Sequence, residues 1–263
     1  MNDLWELDVR APDAVSGLVA DFHPEVVIHL AAISNIDWVS ENESAAREVN
    51  VDGTRNVVSA CEGVGARIVL LSTDYVFDGA DGPYDEESLP NPVNAYGRMK
   101  LEAELEVLDT LLPHLVVRTS LVYGWPEPKQ HPNFVSSAIE RLRSGRGLDA
   151  RADAVRTPVY VGDLVDLIVA LVETDSQGVV NVASSDSSTM FEFALAVCDE
   201  FKLDRSKVRS AGGPQNLEKA QRPLCCGLRT RRVSALLGRS PHDTRMGLSR
   251  MKREESNMRG CNK

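Results

Sequence analysis

No apolar run in these 263 residues approaches the roughly 20 that a membrane-spanning helix requires. Nor is there a cationic opening followed by an apolar core, because Met1 to Arg10 mixes acids with apolar residues, unlike a secretory signal. Cysteine pairs of the C-x-x-C kind are missing as well. The five cysteines (Cys61, Cys198, Cys225, Cys226 and Cys261) are odd in number, which argues against a zinc site or a disulfide framework. Reduced thiols and a cytoplasmic location are expected instead, with Cys61 and Cys198 as small core residues. The histidines (His23, His29, His114, His131 and His242) show no ligand spacing, so no metal is expected. Basic residues are in deficit, 29 against 39 acids, for a net charge of −10. That disfavours a broad nucleic-acid surface but leaves room for a local phosphate site. The tail departs from this balance with Arg245, Arg250, Lys252, Arg253 and Arg259, and reads as a solvated, frayed terminus. Internal repeats and low-complexity tracts are absent.

What is present is an ordinary globular composition, 43% hydrophobic and 26% charged. Strand-like and helix-like stretches alternate. Asp13 to Phe22 reads as an amphipathic helix and Val26 to Leu30 as a strand buried on both faces. Ser44 to Val64 follows as one helix stopped by glycines. Then come a strand at Ile68 to Ser72, a helix at Asn94 to Leu108, a strand at Leu115 to Val122 and a helix at Phe134 to Leu142. Gly145 to Val161 is Gly/Arg-rich before reaching a strand. A short strand at Val179 to Val182 and a helix at Met190 to Phe201 complete the reading. This rhythm predicts an α/β fold with a doubly wound parallel sheet and ligands at the carboxyl ends of its strands. Beyond Tyr123 the pattern loosens into a smaller, interleaved substrate-covering region.

Tyr96-Gly97-Arg98-Met99-Lys100 puts a phenol and an ammonium on one face of a helix, one turn apart. A fixed cation stabilises phenolate and brings a tyrosine toward useful acid–base range. By itself the spacing is common on helix surfaces. Leu71-Ser72-Thr73-Asp74 leaves a buried strand and delivers a hydroxyl at its carboxyl end. That hydroxyl either polarises a substrate carbonyl or caps the turn. Leu30-Ala31-Ala32 supplies small residues for a flat ligand or for close helix packing.

These segments occur in order with Val49-Asn50-Val51-Asp52-Gly53-Thr54 and Ser72-Thr73-Asp74-Tyr75-Val76-Phe77-Asp78-Gly79. Together they resemble the extended short-chain dehydrogenase/reductase family, in particular its dTDP-4-dehydrorhamnose reductase branch (RmlD-like). Arg118-Thr119-Ser120, Asn133-Phe134, Arg156-Thr157-Pro158 and Gln221-Arg222-Pro223 extend the likeness over nearly the whole chain. The resemblance implies a Rossmann-like NAD(P)-binding portion at 1–124. A mainly substrate-binding region would occupy 125–263, with 179–182 returning to the sheet. It implies reduction of a 4-keto-6-deoxy nucleotide sugar by NADPH or NADH. Tyr96 would be the proton donor, Lys100 its pKa-lowering partner and ribose holder, and Thr73 the hydroxyl beside them. Asp8, Val9, Ala31, Ala32, Ile33, Asn50 and Ser72 would line the cofactor. Asn133, Arg156 and Arg222 are the substrate-side candidates. The two arginines are chosen because a guanidinium fork matches phosphate oxygens, and a structural salt bridge is the alternative for each. A homodimer is also among the expectations.

The same resemblance implies a strand, a Gly-rich turn, a helix and a second strand ahead of Asp8. None of the 18 glycines forms such a motif. A truncated or mis-started chain is the expected explanation, ahead of a replaced cofactor site or a non-catalytic relative. Leu121 stands where the branch often has an aromatic. Alternative functions are a regulatory subunit like the beta subunit of methionine adenosyltransferase, or a nucleotide-sugar epimerase. A dehydratase is disfavoured, since Tyr75 rather than a second acid follows Asp74.

Overall fold

The computed structural model describes residues 6–127, 131–212 and 220–260. The first half runs through α1 (Pro12–Phe22), β1 (Val26–His29), α2 (Ile36–Glu41), α3 (Glu43–Arg47), α4 (Gly53–Val64), β2 (Arg67–Thr73), α5 (Ala95–Leu108), β3 (His114–Thr119) and β4 (Val122–Tyr123). It continues with α6 (Phe134–Arg143), β5 (Leu148–Arg151), β6 (Val155–Arg156), β7 (Val159–Tyr160), α7 (Val161–Glu173), β8 (Gly178–Asn181) and β9 (Ser188–Thr189). The last elements are α8 (Met190–Phe201), β10 (Val208–Ala211), α9 (Arg231–Leu237) and α10 (Thr244–Gly260).

The central sheet has the order β1-β2-β3-β8 and is parallel throughout. Alternate side chains of its strands enter two separate cores, as the two-residue period requires. Ile68, Leu70 and Val116 pack with Val15, Val57, Cys61, Ala103 and Val107 from α1, α4 and α5. Val69, Leu115 and Val117 pack instead with Leu164, Leu167 and Leu171 of α7 and Val233 of α9. Helices therefore cover both faces, and the doubly wound, Rossmann-like α/β architecture is as expected. Beyond it, β4 pairs with β7, β5 with β10 and β6 with β9. Cys61 and Cys198 are both fully buried.

Five stretches differ from the sequence reading. The strand expected at 26–30 to be buried on both faces ends the described sheet, with Ile28 44% and Leu30 59% exposed. The helix expected at 44–64 is broken by a π turn at Glu48–Asp52. This wider turn faces Asn50 inward, where it bonds both backbone groups of Ile33. The strand expected at 115–122 stops at Thr119, and β4 leaves to pair with β7. Helix α7 gave no clear helical signal because its exposed side is also apolar: Val161, Val165 and Val169 face outward. The basic tail is not a frayed end. Leu248 and Met251 of α10 are fully buried, Arg250 bonds Asp163 and Asp166, and Lys252 donates to the Glu200 carbonyl.

Candidate active site

At the carboxyl end of β2 the chain turns sharply through Asp74–Val76. The Thr73 hydroxyl accepts from the Tyr75 amide at 3.2 Å and donates to Asp74 Oδ1 at 3.2 Å. The hydroxyl thus caps the turn and also faces a cavity. Helix α5 starts on Asn94, whose side chain accepts from the Gly97 amide at 2.8 Å and donates to the Gln221 carbonyl at 2.9 Å. Gly97 lets the helix press against the turn: a Cβ there would lie 2.1 Å from the Tyr75 carbonyl oxygen. Tyr96 and Lys100 then stand one turn apart above Thr73.

A cavity of about 430 Å³ collects Thr73, Asp74, Tyr96 and Lys100 with Leu30, Leu71, Thr119, Ser120, Leu121 and Arg156. It opens where the strands of a parallel sheet end, the usual place for ligands. Burial pushes the Tyr96 phenol above its ordinary value, the Asp74 carboxylate adds to this, and the Thr73 hydroxyl opposes it. At neutral pH the phenol is protonated. Lys100 Nζ donates to the Leu71 carbonyl at 2.8 Å, so its ammonium is aimed at the strand end. Burial brings this lysine down to about 8, against the attraction of Glu104. Glu104 is itself fully buried and accepts from Ser72 at 2.5 Å and from Arg118 at 2.7 Å. The Ser72 hydroxyl is therefore turned to Glu104.

Asp74 is the feature that sequence reasoning underused. Its Oδ2 accepts from Ser120 at 2.7 Å and lies 3.9 Å from Arg156 Nε. Burial raises its pKa, with Arg156, Ser120 and Thr73 pulling the other way. Its place directly after Thr73 was the available signal. Thr119 was quoted only as part of a motif. Its side chain is 6% exposed, and its hydroxyl has no hydrogen-bond partner among the described residues.

The remaining candidates fall into two further groups. Asp8, Val9, Ala31 and Ile33 line an open groove of about 610 Å³, while Ala32 reaches the central cavity. Asp8 is already bonded by Arg10 through Nε and Nη2, which holds its carboxyl down at about 2. Asn50 acts through the Ile33 backbone, and buried His29 bonds Thr54 at 3.0 Å as a core histidine. On the other side, a cavity of about 370 Å³ shares Tyr75, Leu121 and Arg156 with the first and adds Phe134, Arg151, Met190 and Arg222. Asn133 lines neither cavity, and two substrate-side candidates have other partners. Asn133 caps α6, accepting from Val135 and Ser136 amides and donating to the Gly124 carbonyl. Arg156 gives Nη1 and Nη2 to the carbonyls of Val155, Leu224 and Pro223. Only its Nε side faces Asp74, which leaves no fork for a pyrophosphate. Arg222 lines the second cavity and pairs with Asp37 at 2.8 Å. His131 is exposed and lines neither cavity.

Comparison with known proteins agrees with this geometry. The sequence profile described as RmlD substrate binding domain matches residues 2–257. Methionine adenosyltransferase 2 subunit beta of Bos taurus is 32% identical over 210 residues, 78% of this chain and 63% of that protein. The chain thus spans less than two thirds of the length of these relatives. The dTDP-4-dehydrorhamnose reductase of Mycolicibacterium smegmatis is 34% identical over 240 residues, 90% of this chain and 71% of the reductase. Among solved structures, dTDP-4-dehydrorhamnose reductase from Bacillus anthracis in complex with NADP superimposes with a TM-score of 0.85. It is 31% identical, and the match covers 94% of this chain and 87% of that one.

Proposed function

The chain belongs to the RmlD substrate-binding family, and we propose that it is a nicotinamide-dependent reductase of a 4-keto-6-deoxy nucleotide sugar. The observation that carries the proposal is the convergence of Thr73 and a protonated Tyr96 in one cavity with Lys100 behind them. The residues present fit NADPH or NADH. The cavity has apolar walls at Leu30 and Leu71 for a flat ring and the lone Thr119 hydroxyl at its end. The groove lined by Asp8, Val9, Ala31 and Ile33 suits an adenosine.

When bound, the cofactor would supply a hydride to the ketone carbon. The protein's part is to hold the ketone oxygen and give it a proton. Tyr96 is the hydroxyl that can give that oxygen a proton, with Thr73, whose own proton goes to Asp74, beside it; a hydrogen bond to the oxygen stabilises the charge that develops there. A phenol kept protonated by burial and Asp74 is the form required of a donor. Lys100 would hold the ribose. The sugar would lie against Leu121, and the nucleotide in the second cavity beside Phe134, Met190 and Arg222. The proposal accordingly divides the chain at 124 into a cofactor-binding portion and a mainly substrate-binding one.

Fluorescence titration with NADPH and NADH, followed by NAD(P)H oxidation with dTDP-4-dehydrorhamnose, tests this reading. Tyr96→Phe is expected to lower turnover by roughly 10²- to 10⁴-fold with little change in nicotinamide binding. Failure of the protein to bind either nucleotide would overturn it.

Similarity to methionine adenosyltransferase beta subunits favours a second reading, a regulatory subunit acting through a catalytic partner. Stable co-elution with a methionine adenosyltransferase catalytic subunit, without ketone reduction, would select it. A cytoplasmic homodimer completes the proposal. The described cysteines, all free, support a reducing compartment, and the exposed valine stripe on α7 supports self-association. Sedimentation as a monomer at micromolar concentration would remove the dimer.

A further inference from the structure

The parallel pairing of β2 with β3 sets Thr73 directly opposite Thr119. Paired residues on adjacent strands point to the same side and stand about 4.8 Å apart. Thr73 has hydrogen-bond partners in Tyr75 and Asp74. Thr119 has none among the described residues, although it is 6% exposed and lines the same cavity. Leaving a buried hydroxyl unbonded costs roughly 1–3 kcal/mol, so a fold that keeps one at the wall of a ligand cavity has a use for it.

Resting on the reductase reading, we propose that the Thr119 hydroxyl binds the carboxamide of the nicotinamide ring and so sets the ring's orientation. A ketone held by Tyr96 next to Thr73 fixes where the hydride-bearing ring carbon must lie, which is beside β2. The carboxamide sits on the neighbouring ring carbon, and the next strand on that wall is β3. Thr119 is the β3 residue in register. A carboxamide both donates and accepts, and a hydroxyl can do either, so the pair satisfies both groups. The neighbouring Ser120 hydroxyl is already given to Asp74 and does not compete.

The test uses the whole chain and reduced nicotinamide mononucleotide, which carries the ring and ribose without the adenosine end. Its binding is followed by nicotinamide fluorescence in the wild type, Thr119→Val and Thr119→Ser, alongside thermal melting. Thr119→Val should weaken binding about five- to tenfold, as loss of one hydrogen bond does. Thr119→Ser should keep the affinity. Thr119→Val should also melt no lower than the wild type, because the hydroxyl has no protein partner to lose. Unchanged affinity in Thr119→Val, or a lowered melting temperature, overturns the inference and leaves the reductase reading standing. Absence of mononucleotide binding in a folded wild type that binds NADPH overturns the inference alone; absence of NADPH and NADH binding as well overturns both.

Discussion

Lys100 is 3% exposed, and its ammonium has one neutral carbonyl as a hydrogen-bond partner. Burial holds its pKa near 8 rather than the usual 10.5. Below pH 8 both folded and unfolded chains carry the proton, and the full cost of burying the charge is present. Between about 8 and 10.5 the unfolded chain alone keeps it, so stability rises with pH through that window. Lys100→Met should therefore stabilise the fold at pH 7 by on the order of 2 kcal/mol, while abolishing reduction. Urea denaturation at pH 7 and pH 10.5 checks this, and a less stable variant at pH 7 would refute it. His29 has the same sign in an acid window. Burial, aided by the Lys100 charge, lowers it to about 4. Its contribution is complete above about 6.5 and is lost as pH falls from there toward 4, by up to roughly 3 kcal/mol. Replacing His29 with Gln should flatten the acid limb of the stability curve. At this scale the sequence was enough to single out Tyr96, Thr73 and Lys100 as neighbours, and the structure brings them to one cavity. It could not disclose that Asn133 and Arg156 spend their donors on backbone. Which carbonyls end up near a side chain is decided by loops such as 222–225, far away in sequence.

Among elements, short β-branched apolar runs and helices with one apolar stripe were the legible ones in position. The region 26–30, the segment 68–72 and the helix 190–201 match the structure almost residue for residue. The π turn at 48–52 was hidden because its cause, Asn50 reaching Ile33, is a tertiary contact. Helix α7 was hidden because valines on its outer side blur the period. Two predictions belong here. Gly97→Ala would drive a Cβ into the Tyr75 carbonyl, forcing α5 from the turn. It should cost several-fold more in activity than in nicotinamide affinity, because it moves Tyr96 against Thr73; equal losses would contradict the packing. Asn133→Ala should lower stability by about 1 kcal/mol through loss of the α6 cap. Substrate affinity should change little. A large rise in KM with unchanged melting temperature would restore Asn133 to the substrate site.

Over the whole molecule, Arg156 joins the two ends of the account. Its guanidinium ties the 223–224 backbone to the Asp74–Tyr75 turn, and its charge lies 5.5 Å from the Tyr75 ring centre. The loop that closes the second cavity is thereby fastened to the residues that surround the Tyr96 phenol. The α/β class and the doubly wound sheet were readable because strand composition and helical period both agree with burial on two faces. The docking of α10 was not, since two buried side chains in a charged segment leave little periodic signal. The central claim is that this architecture delivers a proton from Tyr96 to a sugar ketone as hydride arrives from a nicotinamide. It is tested most directly by incubating the protein with dTDP-4-dehydrorhamnose and NADPH deuterated at the transferable position of C4. The account predicts one deuterium on sugar C4 in the product of the wild type and essentially none in Tyr96→Phe. Equal incorporation by both proteins, or none by the wild type, would contradict it.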